Sequence, residues 1–265
     1  MSAVAKYAWI GLTSARSNLA YAGEVAARTL FLAVILFVFL QLWKVTYAET
    51  GAERLGGLTL VEMLWYLAMT ECMALSMSRV ASEVDQDVRT GSLAVQLIRP
   101  LSYPLYRLSV SLGERAVRYA MCLVVSSLVA FALVRSISVS ATGLVMFLAA
   151  LPLAFVPDLL TNLLIGLGAF WLEDTSGLAL IYSRVTMILG GMLLPLELFP
   201  DALHTVAGFL PFALVMYGPA RLFVRPDMGF MAELLVKQAL FTIVWACALF
   251  LVHRAAMRRL SAHGG

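Results

Sequence analysis

The sequence contains no G-x-x-x-x-G-K-[ST] and no Gly-Lys pair, so it has no phosphate loop with which to cradle a nucleotide. G-x-S-x-G and H-E-x-x-H are absent too, which removes the common signatures of hydrolysis. Cys72, Cys122 and Cys247 stand singly in apolar runs without C-x-x-C spacing, which implies neither a metal site nor a disulfide framework. They read as small buried hydrophobes. His204, His253 and His263 are too scattered to form a ligand set by spacing. Charge is scarce as well. Only 13% of the 265 residues are Asp, Glu, Lys or Arg, and 62% are hydrophobic. The mean hydropathy of +0.89 excludes an ordinary soluble domain. A net charge of +3 gives no basis for a nucleic-acid partner.

What is present is a series of apolar stretches, each unbroken for about twenty residues, the length an α-helix needs to cross a bilayer. Strands would alternate in shorter segments, so the backbone must satisfy itself within helices. The expected class is an all-α integral membrane protein, one membrane domain over residues 1–265. The lipid bilayer is its first partner.

Residues 1–25 are not a secretory signal, because no clean apolar core follows Lys6 and no small-residue cleavage site closes one. Val4, Ala8, Leu12, Ala15, Leu19 and Ala22 recur at helical spacing, with Lys6, Ser14, Arg16, Ser17 and Asn18 on other faces. That pattern predicts an elbow helix lying in the interface. Spans are expected at about 26–45, 58–80, 116–134, 141–172, 178–198 and 232–251, six in all. The fourth is a single long helix kinked by Pro152 and Pro157. Between Pro195 and Pro226 the prolines are too frequent for one helix and the residues too apolar for a free loop. The region 195–230 is therefore expected to be a re-entrant segment of short half-helices on the outer side, with a packed extracellular cap as the alternative that differs only in depth.

Glu71 and Asp158 fall near the middle of their spans. A carboxylate at that depth costs roughly 2.5–3.5 kcal/mol on insertion scales, so each should face the bundle interior. They are candidates for a substrate path, with a structural role in packing as the alternative.

The longest polar interruption is the loop at 81–110, whose central stretch is EVDQDVRTGSLAVQLIRPLSYPLYR. Val80, Val84 and Val88 continue the preceding helix, and Thr90-Gly91 stops it. Ser92 is placed to cap a second short helix carrying Leu93, Leu97 and Ile98, and Pro100 ends that helix by restricting Arg99. An amphipathic peg flanked by charge results, and the pattern alone fits equally an interfacial helix that only lies on lipid. With both termini on the same side as this loop, most of the 19 Lys and Arg residues fall on that side. The positive-inside rule makes it cytoplasmic.

The order of these features resembles the permease subunits of type-2 ABC transporters, mostly bacterial exporters. The closest match is in the loop: an acidic run, then Arg89, Gly91-Ser92-Leu93, Leu97 and Pro100. The later PLELFPDAL and LPFALVMYGPARLF, and the final Gly264-Gly265, look like one bacterial subgroup. The resemblance covers essentially the whole chain. It implies a bacterial inner-membrane protein, multi-pass with both termini cytoplasmic. It also implies a coupling helix seated in a groove of a separate ABC ATPase subunit, which holds the ATP and magnesium. Carried over by position, Leu93, Leu97 and Ile98 would fill that groove. Glu83, Asp87, Arg89 and Arg99 would pair at its rim, and Gly91 would allow the turn. A second permease copy, or a related chain, would complete the substrate path.

Two other readings compete. A self-contained secondary transporter or channel would use Glu71 and Asp158 directly and should show inverted repeats, of which none is visible. A lipid-acting membrane enzyme would have only the same two buried acids to work with.

Overall fold

The computed structural model describes residues 3–18, 22–136 and 140–263. Leu19 of the expected elbow stripe and Gly264-Gly265 lie outside the described residues. Those residues form helices and no β-strand. Five of the helical stretches are long and apolar enough to cross a membrane: Phe31–Thr50, Leu60–Arg89, Tyr103–Val134, Ala141–Phe170 and Met228–Leu260.

At the centre stands α3 (Leu60–Leu75). It is predominantly apolar, and Met63 through Met73 are all buried, as expected of a helix surrounded by others. Its start is set by a capping box: Thr59 Oγ1 accepts from the Glu62 N–H at 3.3 Å and Glu62 Oε2 accepts from the Thr59 N–H at 2.8 Å. Around α3 pack α2 (Ala22–Thr50), α6 (Tyr103–Val134) and a later short helix, Tyr217–Val224. Across α6 lies α1 (Ala3–Asn18).

The contact between α1 and α6 is backbone to backbone. A Cβ added at Gly113 would come within 2.1 Å of the Gly11 carbonyl oxygen, which belongs to rigid helix backbone. Gly113→Leu is therefore expected to lift α1 off α6 at a cost of about 1–3 kcal/mol, the usual range for overpacking. Faster proteolysis within residues 1–18 of the purified variant would report it; an unchanged rate would show that the helices can separate without loss.

Val80–Arg89 is a separate helix, α4, rather than a prolongation of α3. Ser76 ends α3 with its N–H on the carbonyls of Cys72 and Ala74, and its hydroxyl donates to Met73. The chain restarts where Ser78 Oγ accepts from the Val80 N–H. Then come α5 (Ser92–Leu97) and α6, which begins well before the expected 116 and reaches about 48 Å at 1.5 Å per residue. α7 (Ala141–Leu167) is one continuous helix with Pro152 and Pro157 inside it, closed by a 3-10 turn at Gly168–Phe170.

The stretch expected as the fifth span is shorter than its hydropathy suggests. α8 (Ser176–Leu189) has 14 residues, about 21 Å against a hydrocarbon core of about 30 Å. It stops at Gly190-Gly191, and the chain leaves helical geometry. The exposed carbonyls of that turn are taken up by α3: the Tyr66 hydroxyl donates to Gly191 and the Thr70 hydroxyl donates to Met192 at 2.9 Å. Beyond it, the proline-rich region breaks into a 3-10 turn at Leu196–Leu198, α9 (Asp201–Phe209), α10 (Phe212–Val215) and α11 (Tyr217–Val224). These are the short half-helices the prolines predict, and α11 is packed against α3 and α7 as part of the core. α12 (Met228–His263) then runs alongside α7.

Candidate functional site: the peg between two spans

The peg begins at Gly91, which has φ +74° and no other part of the protein within 4 Å of where its Cβ would lie. Its left-handed backbone, not lack of space, calls for glycine there. Ser92 does not cap α5 as expected. Its hydroxyl points back to Asp87 Oδ1 at 2.9 Å, and Gly91 occupies the cap position with no side chain to offer.

The apolar residues of α5 divide between two faces. Leu93 is 1% exposed and packs with Val80, Val84, Tyr103 and Leu159, and Leu97 is partly buried against the same cluster. Val95 and Ile98 face outward, 63% and 83% exposed, with exposed Ala94, Arg99 and Pro100 beside them. Thus the four-residue spacing of Leu93 and Leu97 marks the inward stripe. Val95, three residues before Ile98, is the outward residue that reading missed.

Charged and polar pairs tie α4, the helix that carries the peg, to α6 and to the turn before α8. On α6, Arg107 Nη1 meets Glu83 at 3.0 Å and its Nε meets Asp87 Oδ2 at 3.0 Å; the Arg107 Nη2–Asp87 contact completes the fork. The Tyr103 hydroxyl donates to the same Asp87 oxygen at 2.7 Å. Glu83 and Asp87, expected at the rim of a docked partner, are thus already engaged within the chain.

Before α8, Thr175 donates through its N–H and hydroxyl to Asp85 at 3.2 and 2.8 Å. Arg89 lies between Asp85 at 3.5 Å and Asp174 at 3.8 Å. Asp174 accepts from the Ser176 N–H and hydroxyl, and these bonds, with Arg89 nearby, hold its carboxyl below the usual carboxylate range. Arg89 is half exposed, so its pairs contribute little to stability.

Deeper in the bundle the same two helices meet again. Arg115, on α6, and Asp158, on α7, form an ion pair with neither side chain exposed. The Tyr182 hydroxyl, on α8, donates to Asp158 at 2.7 Å, and Arg115 lies over the Phe155 ring at 4.2 Å. Arg115 lies about two turns above Arg107, and Tyr182 about two turns beyond Thr175, roughly 10–12 Å along each helix. Arg115 reads from sequence as a basic residue at the cytoplasmic entrance of a span, yet it is the largest fully buried side chain in the described residues. Nothing local signals a pair between positions so far apart in the chain.

Glu71 is placed differently. It is 2% exposed within α3, it is not among Asp158's partners, and its Oε1 has no hydrogen bond. Glu71→Gln removes a buried carboxylate with no counter-charge among the described residues and should leave the melting temperature unchanged or higher. A clear drop in a thermal-shift measurement would reveal a partner for Glu71.

The helix that carries the peg is thus tied to α6 and to the turn before α8, in a bundle with five helical stretches long and apolar enough to cross a membrane. A family model described as ABC-2 family transporter protein matches residues 32–264. The chain belongs to the ABC-2 transporter family. It is a permease subunit of an ABC-2 type transporter, a transport component and not itself catalytic. The family implies an ABC ATPase partner in general terms. A comparison with curated proteins gave no match.

Proposed function

We propose that this permease forms its substrate path as a dimer, with a second copy or a related chain, and is driven by a separate ATPase subunit seated on α5. ATP and magnesium belong to that subunit. The carrying observation is the outward pair Val95 and Ile98 on a peg whose own base is already satisfied by Arg107 and Thr175. Two large exposed apolar side chains on a charged protrusion are a poor fit to water and a good fit to a protein groove.

In this reading α1 is an interfacial elbow, the peg and both termini are cytoplasmic, and the membrane is the bacterial inner membrane. α8 together with the turn after it forms a sixth crossing, and 195–230 is re-entrant from the outer side. The contacts of the permease with its ATPase are Ala94, Val95, Ile98, Arg99 and Pro100, with Arg89 at the edge. Gly91, Leu93 and Leu97 set the angle of the peg, while Glu83 and Asp87 hold it. When two nucleotide-bound ATPases close, the peg moves as a rigid body. Arg107 carries that movement to α6 and Asp85 carries it to α8, and the two meet again at Asp158.

Asp158 is accordingly a joint between helices, and Glu71 is the carboxylate left for the substrate path. The exchange of roles weakens the self-contained transporter, which needs working acids: Asp158 already has Arg115 as its counter-charge. Purification of the tagged chain from its native membranes tests the proposal. An ABC ATPase should co-purify with the wild type and be lost from a Val95→Asp, Ile98→Asp variant that still elutes as a single species. Recovery of no ATPase after crosslinking would overturn it.

A further inference from the structure

We propose that the groove between α1 and α6 is a binding site for one anionic phospholipid of the cytoplasmic leaflet. The groove has a volume of about 560 Å³, and its α1 wall is Lys6, Trp9, Ile10, Thr13, Ser14 and Ser17. Tyr106 and Val110 of α6 form the other wall. The α1 residues follow helical spacing over about 16 Å, so they line one continuous trough.

Its chemistry is that of an acyl chain with a charged end. The Thr13 hydroxyl donates to the Trp9 carbonyl at 2.9 Å and the Ser14 hydroxyl donates to Glu114 at 3.2 Å, so both hydroxyls of the middle already have partners within the protein. Glu114 is itself paired with Arg118 at 3.0 Å. What remains facing the trough is mostly apolar, with Trp9 55% exposed at its lip. Among the described residues, the one formal charge lining the trough is Lys6, at one end. Tyr106 lines both this trough and the small cleft that includes Arg99. A phosphate there meets the Lys6 ammonium, and its chain meets indole and aliphatic carbon.

The position ties such a lipid to the peg. The Lys6 ammonium reaches the Pro100 carbonyl at 3.5 Å, and the Tyr7 hydroxyl accepts from the Ser102 N–H at 2.8 Å. The headgroup therefore lies against the linker that joins α5 to α6.

The inference rests on the interfacial reading of α1 but not on ATPase docking, and its test reads lipid alone. The full-length chain, purified in detergent with whatever co-purifies, is given equal phosphatidylglycerol and phosphatidylcholine, and bound lipid is counted by native mass spectrometry. Phosphatidylglycerol should be retained preferentially. Lys6→Gln should reduce that preference about fivefold, the effect of one basic residue near an anionic surface. Trp9→Ala should lower occupancy by both lipids and leave the ratio unchanged. Equal retention by the wild type, or an unaltered ratio in Lys6→Gln, overturns the site. Displacement by soluble glycerol phosphate as effectively as by lipid would also overturn it, since the trough would then be an anion site without a chain. Loss of a co-purifying ATPase in a variant with normal lipid counts would bear on docking only.

Discussion

Asp158→Ala should cost about 3–5 kcal/mol of stability, the range for leaving one partner of a buried ion pair without its counter-charge. Arg115 would be left fully buried, with Nε and Nη2 already lacking partners in the native protein and only the Phe155 face against its charge. Lipid offers no water in compensation. A sharp fall in monodisperse protein on size exclusion is expected, and the Arg115→Leu, Asp158→Leu double variant should recover most of it. Replacing both charges by apolar residues of similar volume is often neutral, because the cost of desolvation disappears with the charges. The recovered double variant then isolates the mechanical role. If Asp158 is a joint between α6, α7 and α8, the protein should fold and bind its ATPase yet transport poorly. Full transport by that variant would reduce the pair to a packing feature.

The second large effect is expected at the tip of the peg. Burying a Val or Ile side chain contributes about 1.5–3 kcal/mol, so replacing both Val95 and Ile98 with Asp should weaken ATPase association by roughly a hundredfold or more. Folding should survive, since both side chains are exposed in the permease. Leu93→Asp is a different experiment. It drives a charge into the contact between α4, α6 and α7, so loss of the ATPase there would report a collapsed peg. A Val95→Asp, Ile98→Asp protein that binds as tightly as wild type would move the docking surface elsewhere, with the exposed Arg89 and Arg99 as the next residues to change.

The helices were legible in the sequence because apolar length and the positions of glycine and proline act locally. Thr90-Gly91 as a helix stop, the single long helix through Pro152 and Pro157, and the broken region after Pro195 all follow from backbone restrictions within a few residues. The end of α8 at Leu189 did not follow from hydropathy, since the apolar run continues to Leu198. There the turn is made stable by donors from Tyr66 and Thr70, more than a hundred residues away in sequence. The site was legible as a segment but not as a surface. Spacing brought Leu93, Leu97 and Ile98 together, but which of them points outward depends on α4 and α6 packing beneath. Likewise Asp87 and Arg107 are both plain in the loop, yet only the folded chain pairs them and withdraws Asp87 from a partner's reach.

The most direct test of ATPase docking at α5 places a photo-crosslinking amino acid at position 98 in native membranes, with position 124, exposed on α6, as the control. An adduct containing an ABC ATPase is expected at position 98 and none at 124. No ATPase adduct at 98, or equal adducts at both positions, would contradict it.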